Sequence, residues 1–117
     1  MRGMLADIST VDNIYIVCGV TDMRKSIDGL CAVVQEKLQM DPRQSALYLF
    51  CGRKRDRFKA LLWEEDGFVL IYKRLSASGR FQWPKDSTEV RDLTWREFDW
   101  LMSGIDIDQP KAISAKF

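Results

Sequence analysis

Histidine is absent from the 117 residues. Its absence excludes Ser-His-Asp and Cys-His triads and removes the side chain that general acid–base catalysis most often uses near neutral pH. Cysteine is sparse. Cys18, Cys31 and Cys51 are odd in number, widely spaced and form no Cys-x-x-Cys pair. Without histidine a zinc site would need carboxylates and scattered thiols, so the three are read as buried free thiols in a reducing cytoplasm, with no metal and no cofactor expected. No apolar run approaches the roughly 20 residues that span a bilayer, and Met1 to Asp7 has no signal-peptide hydrophobic region, which points to a soluble cytoplasmic protein without membrane contact. A glycine-rich phosphate loop is missing as well, because Gly79 and Gly104 stand alone. No internal repeat or linker divides the chain, and 46% hydrophobic residues over this length suffice for one core without metals or disulfides.

Net charge is also nearly absent, at +1, but its distribution is uneven. Residues 1–51 carry five basic against six acidic side chains, residues 86–117 four against seven, and residues 52–85 nine against four. The basic character is confined to the middle of the chain, as a local anionic partner requires.

That middle stretch also carries the clearest structural signal. Arg57–Trp63 and Phe68–Arg74 flank Asp66-Gly67, a dipeptide suited to a tight hairpin turn. A two-residue turn sets Glu65 opposite Phe68, Trp63 opposite Leu70, Leu61 opposite Tyr72 and Lys59 opposite Arg74. The aliphatic face of Phe58, Leu62, Val69, Ile71 and Leu75 reads as core, leaving Trp63, Phe68 and Tyr72 beside Lys59 and Arg74 on the less protected side.

Two further continuous apolar runs, Ile14–Cys18 and Ala46–Cys51, read as strands covered on both faces. Between them Met23, Ile27, Leu30, Val34 and Leu38 form an amphipathic stripe, with Thr21 or Asp22 as N-cap of a helix over Met23–Leu38 and Gly29 as a point of close backbone approach. Arg80–Pro84 is a short extended segment stopped by proline. Thr94 and Glu97 make a capping box, with Leu93 and Phe98 as its hydrophobic staple, ahead of a helix over Trp95–Met102 that Gly104 ends. The expected architecture is α+β, a largely antiparallel sheet of four or five strands with two helices packed on it, over residues 13–105. Residues 1–12 and 106–117 are expected to be a flexible N-terminus and tail.

No constellation points to catalysis. Glu64, Glu65 and Asp66 could hold magnesium, but three consecutive acids at a hairpin tip are ordinarily a solvated turn. The basic hairpin has more to offer: Arg53, Lys54, Arg55, Arg57, Lys59, Lys73, Arg74 and Arg80 can neutralise phosphates, with aromatics interleaved. A rival reading makes Trp63, Tyr72 and Trp83 anchors for a protein partner. Phe81 and Trp83 can equally be aromatics that cover the sheet beside the last helix.

Four blocks in order, Gly19–Leu30, Asp56–Lys59 with Leu62-Trp63, Gly67-Phe68 with Tyr72–Leu75, and Gly79–Pro84, resemble the TnpB accessory proteins of the insertion sequence sixty-six transposon family, from about Ile14 to Ile105. The resemblance implies a non-enzymatic role in DNA transposition. Its implied partners are DNA at transposon ends, a separate transposase that carries the strand-transfer chemistry, and other proteins of the element. Within the first block, Arg24 and Lys25 are either surface recognition groups or bystanders of a helix cap. An exposed apolar hairpin face would also allow a homodimer.

Overall fold

The computed structural model describes residues 7–76, 78–86 and 90–108. Five strands, β1 (Asn13–Val17), β2 (Ala46–Cys51), β3 (Arg57–Trp63), β4 (Phe68–Arg74) and β5 (Val90–Leu93), form one sheet in the order β4-β3-β2-β1-β5. Only β1 and β2 run parallel; the other three pairings are antiparallel. The expected α+β, largely antiparallel architecture therefore holds, with one parallel pair at its centre. Two helical segments connect β1 to β2, α1 (Ile27–Ala32) and a π-helical turn (Val33–Lys37), and α2 (Trp95–Met102) follows β5.

Both faces of the sheet are covered, which explains the unbroken apolar runs. Every residue of β2 is buried. On one face Ile14, Ile16, Leu47, Leu49, Phe58, Ala60 and Leu62 pack with Phe81, Trp83 and Leu101, joined by the aliphatic hairpin residues Val69, Ile71 and Leu75. On the other, Val17, Tyr48, Phe50 and Leu61 pack with Leu30 and Val34, joined by Met23, Ile27 and Leu38. The helical stripe thus packs as its spacing implied. Tyr48 is fully buried, yet its hydroxyl accepts from Gln44 Nε2 at 2.6 Å and donates to the Asp41 carbonyl at 3.1 Å, so no polar group is stranded.

Three local expectations are corrected. The hairpin loop has four residues, Glu64–Gly67, with Glu65 rather than glycine at positive φ (64°). Trp63 therefore pairs with Phe68, Leu61 with Leu70 and Lys59 with Tyr72. The slip is two residues, so each side chain keeps its face. The first helix starts at Ile27, not Met23. Thr21 is buried and its N–H bonds the Cys51 carbonyl at 2.8 Å, while Asp22 accepts from the Arg24 N–H in a local turn, which holds the chain along the sheet end before the helix can begin. At Gly29 the close neighbour is the Lys25 side chain, 3.1 Å from where a Cβ would stand, and not another backbone.

The C-terminal helix matches its sequence signals closely. Thr94 Oγ1 accepts from the Glu97 N–H at 3.1 Å and Glu97 Oε1 from the Thr94 N–H at 2.9 Å. Gly104 (φ 79°) ends the helix, with Gly104 N bonded to the Leu101 carbonyl and Ile105 N to the Trp100 carbonyl. Packing continues beyond residues 13–105, since Ile8, Val11 and Ile107 join the first core; residues 1–6 and 109–117 lie outside the described residues.

Loss of the capping box sets a first expectation: Thr94→Ala lowers stability by about 1 kcal/mol, read from urea unfolding. The thiols set a second. None of the three is in a disulfide, Cys18 and Cys51 are buried, and burial pushes the Cys51 thiol up to about 12. Half-buried Cys31 also has a raised pKa, mainly from burial. At pH 8 the folded protein should expose only Cys31 to a thiol reagent, slowly, with Cys18 and Cys51 reacting after denaturation. Because the Cys51 pKa is raised, the stability tied to its neutral thiol is present below the ordinary thiol range and is lost as pH climbs toward about 12.

Candidate functional site

Parallel pairing of β1 with β2 puts their C-terminal ends at the same end of the sheet, where β3 and β5 begin and β4 finishes. Three segments far apart in sequence meet there: 19–26 after β1, 52–57 after β2, and 80–85 ahead of β5. Backbone hydrogen bonds lace them together. Thr21 N donates to the Cys51 carbonyl at 2.8 Å, Phe81 N to the Arg55 carbonyl at 2.7 Å and Gly19 N to the Pro84 carbonyl at 2.7 Å, while Leu75 N, just past β4, extends the hairpin ladder to the Asp56 carbonyl at 2.7 Å. Beneath the lacing, the Trp83 indole N–H donates to the Val17 carbonyl at 2.9 Å, and the Phe81 ring meets the Phe58 ring edge-on at 5.2 Å.

The laced end is strongly basic. Residues 18–26, 52–57 and 73–86 hold ten Lys or Arg against three Asp or Glu. The opposite end reverses the sign, with seven acidic against two basic residues in segments 7–13, 41–46, 63–67 and 92–96. Glu64, Glu65 and Asp66 belong to that acidic end, at the hairpin tip, and the charges read as a basic hairpin sit at its open base. Among the described residues no group of three or more Cys, Asp or Glu is placed to hold a metal ion.

Two adjoining clefts open on the basic end, of about 510 and 360 Å³, sharing Val20, Gly52 and Arg53 as walls. Their floor is close-packed: a Cβ at Gly52 would stand 2.6 Å from Met23 Cγ, so glycine is what lets the two loops approach. Arg55 has φ 57° and its N–H bonds the Gly52 carbonyl at 3.0 Å. An arginine thus occupies a left-handed backbone position that favours glycine or asparagine.

The expected cations fall into two groups. Arg53, Lys54, Lys73, Arg74 and Arg80 are exposed and Arg55 is half-buried, all at this end; Arg80 Nη1 also donates to the Lys54 carbonyl at 3.2 Å. Arg57 and Lys59 are engaged in the fold. Arg57 Nε pairs with Asp56 at 3.0 Å, and Lys59 Nζ donates to the Lys25 carbonyl at 2.7 Å, lying 5.5 Å from the Tyr72 ring. Arg24, whose side chain is almost wholly exposed, joins the rim and pairs with Asp22 at 2.9 Å. The Arg24 guanidinium, followed by its backbone N–H, holds the Asp22 carboxyl down at about 2.

Of the proposed protein anchors, Tyr72 is exposed and Trp63 half-buried on the same face of the hairpin, its ring 4.9 Å from Phe68. Trp83 is corrected: at 4% exposure it is a core residue and cannot be a surface anchor. Sequence reasoning missed Val20, half-exposed on the lip of both clefts. Its only signal was an apolar side chain directly after the strand-ending Gly19. Lys85, on the wall of the smaller cleft, was visible only as one more charge in the basic stretch.

Comparison with known proteins agrees with the resemblance of the four blocks. A family model described as IS66 Orf2 like protein matches residues 12–112. Two proteins of Sinorhizobium fredii (strain NBRC 101917 / NGR234) are similar: "Uncharacterized protein y4hO", 34% identical over 98 residues covering 84% of each chain, and "Uncharacterized protein y4jC", 29% identical over 93 residues covering 80% of this chain and 79% of the relative. No solved structure matches.

Because the Trp83 indole binds the β1 backbone, Trp83→Phe leaves the Val17 carbonyl without its donor in a buried setting. Urea unfolding should show a loss of about 1–3 kcal/mol, without the selective loss of a partner that a surface anchor would give.

Proposed function

The chain belongs to the IS66 Orf2-like family, a family of transposition-associated accessory proteins, and on that premise we propose that it binds DNA at transposon ends through the basic end of its sheet. Strand transfer is left to a separate transposase, so this chain acts there as a non-enzymatic, cytoplasmic partner of DNA and of other proteins of the element. The observation that carries the reading is the convergence of cations from three distant segments on one sheet end, around clefts floored by close-packed glycine. Among the described residues Arg53, Lys54, Arg55 and Lys85 have no acidic partner in an ion pair, and they stand where phosphate oxygens can supply one. Phe81 and Trp83 at this end are buried and cannot stack on exposed bases, which favours contact with the phosphate backbone.

Docking on the transposase is the second reading, favoured by the exposure of Tyr72 with Trp63 on the same hairpin face. Fluorescence anisotropy against transposon-end and scrambled duplexes across a salt series separates the two. DNA binding predicts steep salt dependence, and the Arg53→Glu/Lys54→Glu double variant should weaken affinity for both duplexes and lower the salt slope by about 2. Arg55→Asn should keep or raise stability, because it relieves the left-handed backbone, while weakening DNA. Absence of binding at low salt would refute the DNA reading; retention of the transposase in a pull-down, lost in Tyr72→Ala, would then support docking.

A further inference from the structure

Strand β4 forms one edge of the sheet, and among the described residues nothing pairs with its outer side. Which backbone groups face outward follows from two hydrogen bonds that bracket the β3–β4 ladder. Glu64 N donates to the Gly67 carbonyl at 2.9 Å and Leu75 N to the Asp56 carbonyl at 2.7 Å, both in the register of the ladder. Hydrogen-bonded pairs recur every second residue, so Val69, Ile71 and Lys73 turn their N–H and C=O toward β3. Phe68, Leu70, Tyr72 and Arg74 turn theirs outward.

The strand is also polar in charge along its length. It leaves the acidic loop Glu64–Asp66 at one end and finishes in Lys73-Arg74 at the other. Exposed edge cations ordinarily keep sheet edges apart. A second copy laid antiparallel, however, brings its acidic loop beside these cations and its cations beside this loop, whereas parallel pairing stacks like charge on like.

We propose that β4 pairs antiparallel with β4 of a second copy of this chain, in the register centred on Ile71. That register sets Leu70 opposite Tyr72 and Phe68 opposite Arg74, using all four outward-facing residues of each strand. A register shifted by two residues either way sets Phe68 or Arg74 against a loop. The pairing joins two five-stranded sheets into one and places the basic ends at opposite extremes of the doubled sheet. It stands independently of the DNA reading.

Sedimentation equilibrium of the full chain without DNA, over a concentration series into the tens of micromolar, should show a monomer–dimer equilibrium that weakens with salt. Tyr72→Pro removes an outward N–H but no bond to β3, so it should give a folded monomer. If that variant misfolds, oxidative cross-linking decides in a Cys31→Ser background. Ile71 meets its own copy at a non-hydrogen-bonded position, where Cα atoms lie about 4.5 Å apart, within disulfide reach. Ile71→Cys should therefore yield a covalent dimer and Val69→Cys should not. A wild-type monomer at every concentration, or a dimer unaffected by a well-folded Tyr72→Pro, would overturn the proposal, as would equal cross-linking of the two cysteine variants.

Discussion

The lacing of three loops across the ends of β1 and β2 is the constraint on which the basic end depends. Three backbone bonds and the Trp83 indole tie the segments after β1, after β2 and before β5 into one surface. Each of those loops carries charges of the same sign, and isolated loops of this kind would drift apart by repulsion. Backbone hydrogen bonds and buried aromatic packing do not depend on side-chain charge, so they hold the cations together at neutral pH and at any salt concentration. The energy that concentrates positive charge here comes from the core below it.

Several local irregularities lie at this end, while Gln39 and Glu65 also take positive φ away from it. Gly19 takes a positive φ as β1 ends, Gly52 admits Met23 against the backbone, and Arg55 sits in a left-handed conformation within the turn they support. Thr21 is buried through its link to Cys51, and the segment that resembles a helix start becomes a strap along the sheet end. The one helical irregularity, the π-turn at Val33–Lys37, matches the four-residue steps from Leu30 to Val34 to Leu38, a spacing longer than an α-helical turn that still keeps all three residues on the core.

The strands were legible because each is a continuous or alternating apolar run: Ala46–Cys51, Arg57–Trp63 and Phe68–Arg74 carry the bounds their residues suggested. The faces of the hairpin were also legible, and they survived an error in turn length because a slip of two preserves side-chain alternation. The turn itself was not, since Asp66-Gly67 offers a strong local signal that Glu65 overrides by adopting the positive φ. Thr21 and Asp22 misled for a related reason. A polar residue before an apolar stripe looks like a cap whether its partner is a helix N–H or a neighbouring strand. Val90–Leu93 is too short and mixed to announce a strand, and it pairs only because β1 offers an edge. The basic residues could be counted in sequence, but their convergence required the parallel β1–β2 pairing, a long-range fact with no local signature.

With both faces of the sheet covered at its centre, function is left the ends, the edges and the hairpin face that carries Trp63 and Tyr72. Burial of Tyr48, Phe50 and Leu49 at full depth means that the centre of neither face can take a ligand without displacing a helix or the Phe81–Trp83 segment. The β5 edge is short, and Asp92 there is held by Asn13 Nδ2 at 2.9 Å, which leaves little strand to pair. The remaining surfaces are the two oppositely charged ends, the Trp63–Tyr72 face of the hairpin and the long β4 edge that runs between the ends. Opposite charge at the two ends orients the molecule in the field of any polyanion, basic end first, because the acidic end is repelled as the basic end is drawn in. The same polarity read along β4 sets the direction in which a second strand can approach. One charge pattern, fixed by the order of strands in a single sheet, thus underlies both the proposed orientation toward DNA and the proposed pairing between copies.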